Sequence, residues 1–148
     1  MTDKSPQSTI RKKAMDLLAR REHSEQELRQ KLKSREYEVD TIDEVLQGLK
    51  SDRLLSDERF AEAYVNHRYN AGVGQLKIRY ELRQKGITDL VADEFLASFS
   101  ERWDQLMVQQ RVRKYGESIP VDYAERMKQA RFLQNKGFSP ESVMRLFR

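Results

Sequence analysis

The sequence predicts an all-α protein made of three tandem three-helix, helix-turn-helix-like repeats. Three observations lead there. Apolar residues recur at spacings of three and four, and alternating runs bounded by turn residues are missing. The six glycines and three prolines fall almost entirely where helices would start or stop. Finally, "YELRQKGITD" at Tyr80–Asp89 is rewritten loosely as "RFLQNKGFSP" at Arg131–Pro140, with Leu, Lys and Gly in register.

The first repeat opens with the amphipathic run "RKKAMDLLARR", which predicts a helix near 9–21. Ser24-Glu25-Gln26-Glu27 is a capping-box pattern, in which the Ser hydroxyl accepts the third amide and Glu27 reaches back to the cap; it starts a helix near 24–35. A third helix near 39–50 follows. Glu36 stands at its entry turn where the other repeats have Gly, a substitution costing about 1 kcal/mol if the residue must be left-handed.

In the second repeat, "ERFAEAYVNHRY" predicts a helix near 57–71, followed by helices near 74–85 and 89–99. "AGVGQ" at Ala71–Gln75 links two helices and reads as a hinge or a close packing turn. Gly86 closes the middle helix in a left-handed turn. The third repeat is expected to run through 101–115, 122–136 and 140–147, with Gly116 and Gly137 as stops. Asp122 with Glu125 repeats the capping arrangement, and Ser139-Pro140 places Pro at the first helical position, where its missing N–H is not needed. The domain boundaries follow: a flexible N-terminus over 1–8, then repeats over 9–55, 56–100 and 101–148.

The register can be tested by taking Tyr37, Ile87 and Phe138 as zero. Five residues earlier stand Leu32, Leu82 and Leu133, and five later Ile42, Ala92 and Val143. Eight and nine later come Val45-Leu46, Phe95-Leu96 and Leu146-Phe147, so five apolar offsets recur with a period of 50 to 51 residues. A three-helix repeat of this size is marginal alone, and neighbouring repeats are expected to bury one another's faces. Gln129 breaks the pattern set by Leu28 and Ile78.

Charged residues are 35% of the chain against 38% hydrophobic, so the core is thin and the surface ionic. The excess of cations lies in the last repeat, where residues 104–148 hold nine basic and five acidic side chains. The middle helix of each repeat is basic: Arg29, Lys31, Lys33 and Arg35; Lys77, Arg79, Arg83 and Lys85; Arg126, Lys128, Arg131 and Lys136. The helix after it begins acidic, with Asp40, Asp43 and Glu44, then Asp89, Asp93 and Glu94, then Glu141. Helix dipoles produce part of this order, since cations favour C-termini and anions N-termini by about 0.3–1 kcal/mol each. Stacked repeats would also align the cations as a stripe suited to a long acidic partner, a nucleic acid or a filament built around one. Sequence-specific DNA reading is not expected: the helices after Gly86 and Gly137 are acidic or apolar, where a recognition helix would carry Arg, Asn or Gln.

Other functional classes lose support. The absence of cysteine excludes disulfides and thiolate metal sites and suits a reducing compartment. No apolar run approaches the roughly 20 residues that cross a bilayer, and "MTDKSPQSTI" reads as neither secretion signal nor transit peptide, so a cytoplasmic location is expected. His23 and His67 have no carboxylate partner fixed by spacing. Paired metal-binding histidines, a phosphate loop and a nucleophile elbow are all missing from the pattern. The expectation is a protein without catalytic residues, cofactor or metal, acting as a monomer. Tyr64, Tyr69 and Tyr80 at helical spacing read as core or half-buried, Trp103 as the filler of a junction between repeats, and Met15, Met107, Met127 and Met144 as core fillers.

"REHSEQELRQKL", "LLSDERFAEAYVNHR" and "LRQKGI", in that order, resemble the RecX family of regulators of the RecA recombinase. Ser56-Asp57-Glu58-Arg59-Phe60-Ala61, with Arg68 near the end of the same helix, is the most specific block, and Gly74, Leu82 and Lys85-Gly86-Ile87 extend it. The resemblance implies an elongated, curved array of three-helix repeats. It implies binding to RecA in the helical groove of its filament on single-stranded DNA, limiting filament extension, ATPase, strand exchange and repressor co-cleavage. DNA recombination, DNA repair and the SOS response would be tempered as a result. The expected filament-facing residues are Arg29, Lys31, Lys33, Arg68, Lys77, Arg79, Arg83, Lys85, Arg111, Arg113, Lys114, Lys128, Arg131 and Lys136, with single-stranded DNA met directly or through RecA. Two alternatives stand beside this: a non-specific nucleic-acid-binding helical protein, and a helical scaffold for an unrelated partner.

Overall fold

A computed structural model describes residues 5–148; the first half of the segment expected to be flexible, 1–4, lies outside the described residues. Among those described there are nine α-helices and no strands. They are α1 (Pro6–Arg20), α2 (Glu25–Lys33), α3 (Val39–Ser51), α4 (Asp57–Asn70), α5 (Gln75–Gln84), α6 (Asp89–Ala97), α7 (Arg102–Tyr115), α8 (Tyr123–Asn135) and α9 (Pro140–Leu146). Each lies where spacing and punctuation placed it. The one early start is α1, which begins at Pro6 because the Ser5 hydroxyl caps the Ser8 amide and proline occupies the first turn; residues 6–8 are therefore helical, contrary to the flexible segment expected.

The caps behave as read except at Asp122, where Glu125 does not reach back to the cap amide but accepts from Gln129 Nε2 instead. Ser24 and Glu27 form the reciprocal capping box, and the Asp122 and Ser139 side chains accept from the amides three residues on. Glu36 does take the left-handed conformation, with φ 65°, as do Gly86 (φ 82°) and Gly137 (φ 104°) at the same place in the other repeats. Arg53, at the end of α3, is a second non-glycine residue with positive φ, and no glycine signalled it.

The chain folds as two compact units. The first holds the residues up to Ala63 together with Gln84–Ile87. Its core is Ile10, Ala14 and Leu17 of α1, Leu28 and Leu32 of α2, and Ile42, Val45, Leu46 and Leu49 of α3, closed by Leu55. The second comprises Tyr64–Arg83 and Thr88–Arg148. Ile78, Leu82, Ala92 and Leu96 are buried there, as are Leu106, Met107, Leu133, Phe138, Val143 and Phe147. The apolar residues five before and five after the register zero are all at most 1% exposed, which is why that offset pattern repeats.

Trp103 joins the second and third repeats within the second unit. Its indole N–H donates to the Leu96 carbonyl at 3.0 Å, and its ring meets Tyr69 edge-on, while Tyr69 stacks on Phe99 at 4.6 Å. Tyr80, however, is 60% exposed, and Met15 and Met144 are 37% and 43% exposed, so those three side chains sit at the surface rather than in the core. "AGVG" proves to be a packing turn. Gly74 N–H donates to the Lys136 carbonyl at 2.7 Å and Leu76 N–H to the Gly137 carbonyl at 2.9 Å. The orphan amides at the start of α5 and orphan carbonyls at the end of α8 thereby satisfy each other. A Cβ on Gly74 would stand 2.3 Å from the Gly137 carbonyl carbon, so only glycine permits the approach. A related junction exists in the first unit, where Gln26 Nε2 donates to the Gln84 carbonyl at 2.9 Å.

Candidate partner-binding surface

The middle helices α2, α5 and α8 carry most of the expected site residues, and the structure sorts these by what holds them. One group is neutralised inside its own unit. Arg29 bonds Glu25 and Asp43, both at 3.2 Å. Arg79 grips Asp93 through two nitrogens at 2.8 and 3.1 Å and also reaches Asp89. Arg83 forks onto Asp89, Lys85 reaches Glu27 at 3.2 Å, and Arg68 forks onto Glu81, which also accepts from the Tyr64 hydroxyl. The Glu81 carboxyl is pushed up by burial, but bonds from Arg68 and Tyr64 outweigh this and leave it below its ordinary value. For these residues, basic helix ends beside acidic helix starts are explained by local pairing.

Arg29–Asp43 and Arg79–Asp93 are the same pair in two repeats. At the equivalent third-repeat positions stand Ala130 and Met144, so that repeat has lost the internal ion pair. Lys128 and Arg131 on α8 are exposed and make no ion pair among the described residues, as is the case for Lys33 on α2.

Lys31 donates to His23 Nε2 at 2.8 Å. An ammonium can only donate, so Nε2 is the acceptor and the ring's proton sits on Nδ1, which donates to the Arg21 carbonyl at 3.0 Å. His23 is 1% exposed, and burial holds its pKa below the ordinary histidine value. Beside it, Glu27 is raised by burial, yet bonds from Arg21, the Ser24 amide and Lys85 bring it down to about 2. This cluster locks the start of α2 onto residues 84–87 and leaves Lys31 and Lys85 engaged.

Arg111 is a correction. It is 2% exposed and donates to Gln129 Oε1 at 3.2 Å and to the carbonyls of Glu117 and Ser118 at 2.9 and 3.3 Å. It stands one helical turn after Met107 and two after Trp103 on the buried face of α7, so its guanidinium is a structural strut unavailable to a partner. It also explains Gln129, 4% exposed, where the other repeats have Leu28 and Ile78: a buried arginine needs a buried acceptor.

The remaining cations gather in the second unit, where the C-terminal turns of α7 and α8 meet the start of α5. Lys136 donates to Gln110 Oε1 at 3.0 Å and lies 5.8 Å from the Phe132 ring centroid. Lys114 sits over the same ring at 4.1 Å, and Tyr115 packs edge-on against it. The Lys136 ammonium is held below the ordinary lysine range, first by burial and then by the charges of Lys77, Arg113, Lys114 and Arg68. Among the described residues, Arg68 alone of these five cations is ion-paired with a carboxylate. Lys77, Arg113, Lys114 and Lys136 make no ion pair among the described residues and form a positive cluster on an aromatic floor, with Glu81 close enough to Lys77 to feel its charge. Its aromatic parts, Phe132 and Tyr115, and Gln110 were not anticipated from sequence; the only local signals are Lys136 four residues after Phe132 and Lys114 beside Tyr115. Such a cluster can hold an anionic surface. Among the described residues no group of acidic or histidine side chains could hold a metal ion, and no helix is long and apolar enough to cross a membrane.

Comparison with known proteins agrees with this architecture. Models of the first, second and third three-helix domains of RecX match residues 11–49, 56–96 and 101–147. The regulatory protein RecX of Halorhodospira halophila is 40% identical over 134 residues, covering 90% of this chain and 83% of that one. The same protein of Pseudomonas fluorescens is 40% identical over 137 residues, covering 93% and 88%. The crystal structure of RecX from Lactobacillus salivarius superposes with a TM-score of 0.80 at 25% identity, covering 93% of this chain and 92% of that one. A second RecX crystal structure gives 0.83 at 26% identity, covering 96% and 71%. With three domain models in order over nearly its whole length, the chain belongs to the RecX family of regulatory proteins.

Proposed function

We propose that this protein is a non-catalytic inhibitor of the RecA recombinase, acting in the cytoplasm as a monomer. It binds the RecA filament on single-stranded DNA in its helical groove and limits filament extension, ATPase, strand exchange and repressor co-cleavage. Recombinational repair and the SOS response are thereby restrained. Family membership supports the partner. The observation that carries the mode of contact is the cluster of Lys77, Arg113, Lys114 and Lys136. Four cations crowded together, none of them ion-paired among the described residues, repel one another, and an acidic partner relieves that repulsion. Lys33, Lys128 and Arg131 supplement it; the ion-paired arginines contribute less because each already holds a carboxylate.

The same cluster gives the second reading, a non-specific nucleic-acid-binding protein, some support. RecA ATPase on single-stranded DNA, followed with this protein well below one molecule per RecA, separates the two. Inhibition at such ratios is the expected result. No inhibition, together with tight DNA binding by the isolated chain, would favour the second reading; four phosphate contacts would then give a log–log salt slope of about −3.

A further inference from the structure

Helix α5 is apolar on two sides. Ile78 and Leu82 are buried, whereas Leu76 and Tyr80, one turn apart on another side, are 46% and 60% exposed. Leu76 forms one wall of a cleft of about 510 Å³ whose other apolar walls are Leu96, Ala97 and Trp103. The cleft's rim is the Arg79–Asp93 pair, and next to it Arg83 is held by Asp89. Two cations thus face two carboxylates, and the cleft is electrically neutral in a chain that is otherwise basic. Lys77, the residue after Leu76, belongs to the positive cluster, its Cβ facing Gly137 at the end of α8.

We propose that this cleft is a protein-docking site. It takes an apolar side chain from a protein segment that also carries a carboxylate, the apolar group seated between Leu76 and Trp103 and the carboxylate reaching Lys77. An exposed Leu76 beside Trp103 around a neutral hollow is an apolar seat of the kind found at the centre of protein interfaces, where tryptophan is enriched. Phosphodiesters fit worse, because the Arg79–Asp93 and Arg83–Asp89 pairs leave the rim no net positive charge to hold a polyanion. The inference rests on the functional reading above, with a RecA subunit supplying the segment. It divides the contact into an apolar anchor on α5–α7 and an anionic contact at the Lys136 cluster.

The test uses the full chain and its Leu76→Asp and Ala97→Arg variants, one placing charge in the cleft and the other filling it. Each is titrated into RecA on circular single-stranded DNA, and separately into oligo-dT without RecA. Circular dichroism and thermal denaturation at 222 nm confirm folding; both substituted positions are exposed enough to accept the change. The expected result is an increase of about tenfold in the concentration for half-inhibition with both variants, and unchanged oligo-dT affinity. Wild-type inhibition with both variants equally potent overturns the docking site and leaves the functional reading intact. Variants that lose oligo-dT affinity in parallel also overturn it, by making the face a nucleic-acid surface. A wild-type chain without effect on RecA removes the functional reading and the docking site together.

Discussion

Replacing Gly74 by alanine tests the packing that brings the cationic cluster together. The added Cβ would stand 2.3 Å from the Gly137 carbonyl carbon, 2.5 Å from the Phe138 nitrogen and 2.6 Å from the Gly137 oxygen. All three are backbone atoms, so no side chain can swing aside, and the α8 terminus must retreat by about 1 Å to reach ordinary contact. Retreat breaks the Gly74–Lys136 and Leu76–Gly137 hydrogen bonds. Overpacking of this kind costs about 1–3 kcal/mol, and each lost backbone bond about 1 kcal/mol more. A total near 4 kcal/mol corresponds to a melting point lower by roughly 8–16 °C in a chain of this length. Thermal denaturation followed at 222 nm measures it. Gly48 supplies the contrast: it lies inside α3, its Cβ would meet nothing closer than Arg11 Nη1 at 3.5 Å, and alanine there should stabilise by about 0.5–1 kcal/mol. If Gly74→Ala melts within 2 °C of the wild type, the junction between α5 and α8 does not hold the second unit as described.

Three further outcomes are expected. Glu36→Gly should raise the unfolding free energy by about 1 kcal/mol in urea denaturation, since the left-handed residue then carries no Cβ; a loss would mean that the Glu36 side chain contributes more than its strain. Arg111→Leu should destabilise by about 3 kcal/mol by leaving Gln129 Oε1 buried without its donor, and Gln129→Leu in the same chain should recover much of this, because the freed carbonyls of the exposed Glu117 and Ser118 can turn to water. His23 is held below the ordinary value of 6.5 in the folded chain, so unfolding takes up a proton; its contribution is full above 6.5 and falls away as pH drops through 6.5 toward the folded value. Denaturation midpoints should therefore fall between pH 7 and 5, with Lys31 losing its acceptor, and His23→Gln should flatten that slope.

Local signals fixed the helices. Caps such as Ser24 and Ser139 and stops such as Gly86 and Gly137 act within four residues, so they are readable along the chain. The same logic would have started α1 at Ser5-Pro6, which carries the dipeptide that was recognised at Ser139-Pro140. Arg111 was misplaced for a different reason: its charge suggested the surface, although Trp103, Met107 and Arg111 mark one buried stripe of α7. Gln129 stood out as an irregularity, but its explanation is a side chain 18 residues away. The cationic cluster was only partly legible. Its members were among the expected residues, yet nothing local distinguishes Lys136, left uncompensated, from Lys85, paired with Glu27 across 58 residues of sequence. Which cations remain available is decided by tertiary contacts.

The most direct measurement is RecA ATPase inhibition by two double variants that remove equal charge, Lys114→Gln/Lys136→Gln in the cluster and Arg11→Gln/Lys12→Gln on α1. The cluster variant should need roughly tenfold more protein for half-inhibition, while the α1 variant behaves as wild type. Equal potency of the two variants would contradict the assignment of the Lys136 cluster as the partner-facing surface.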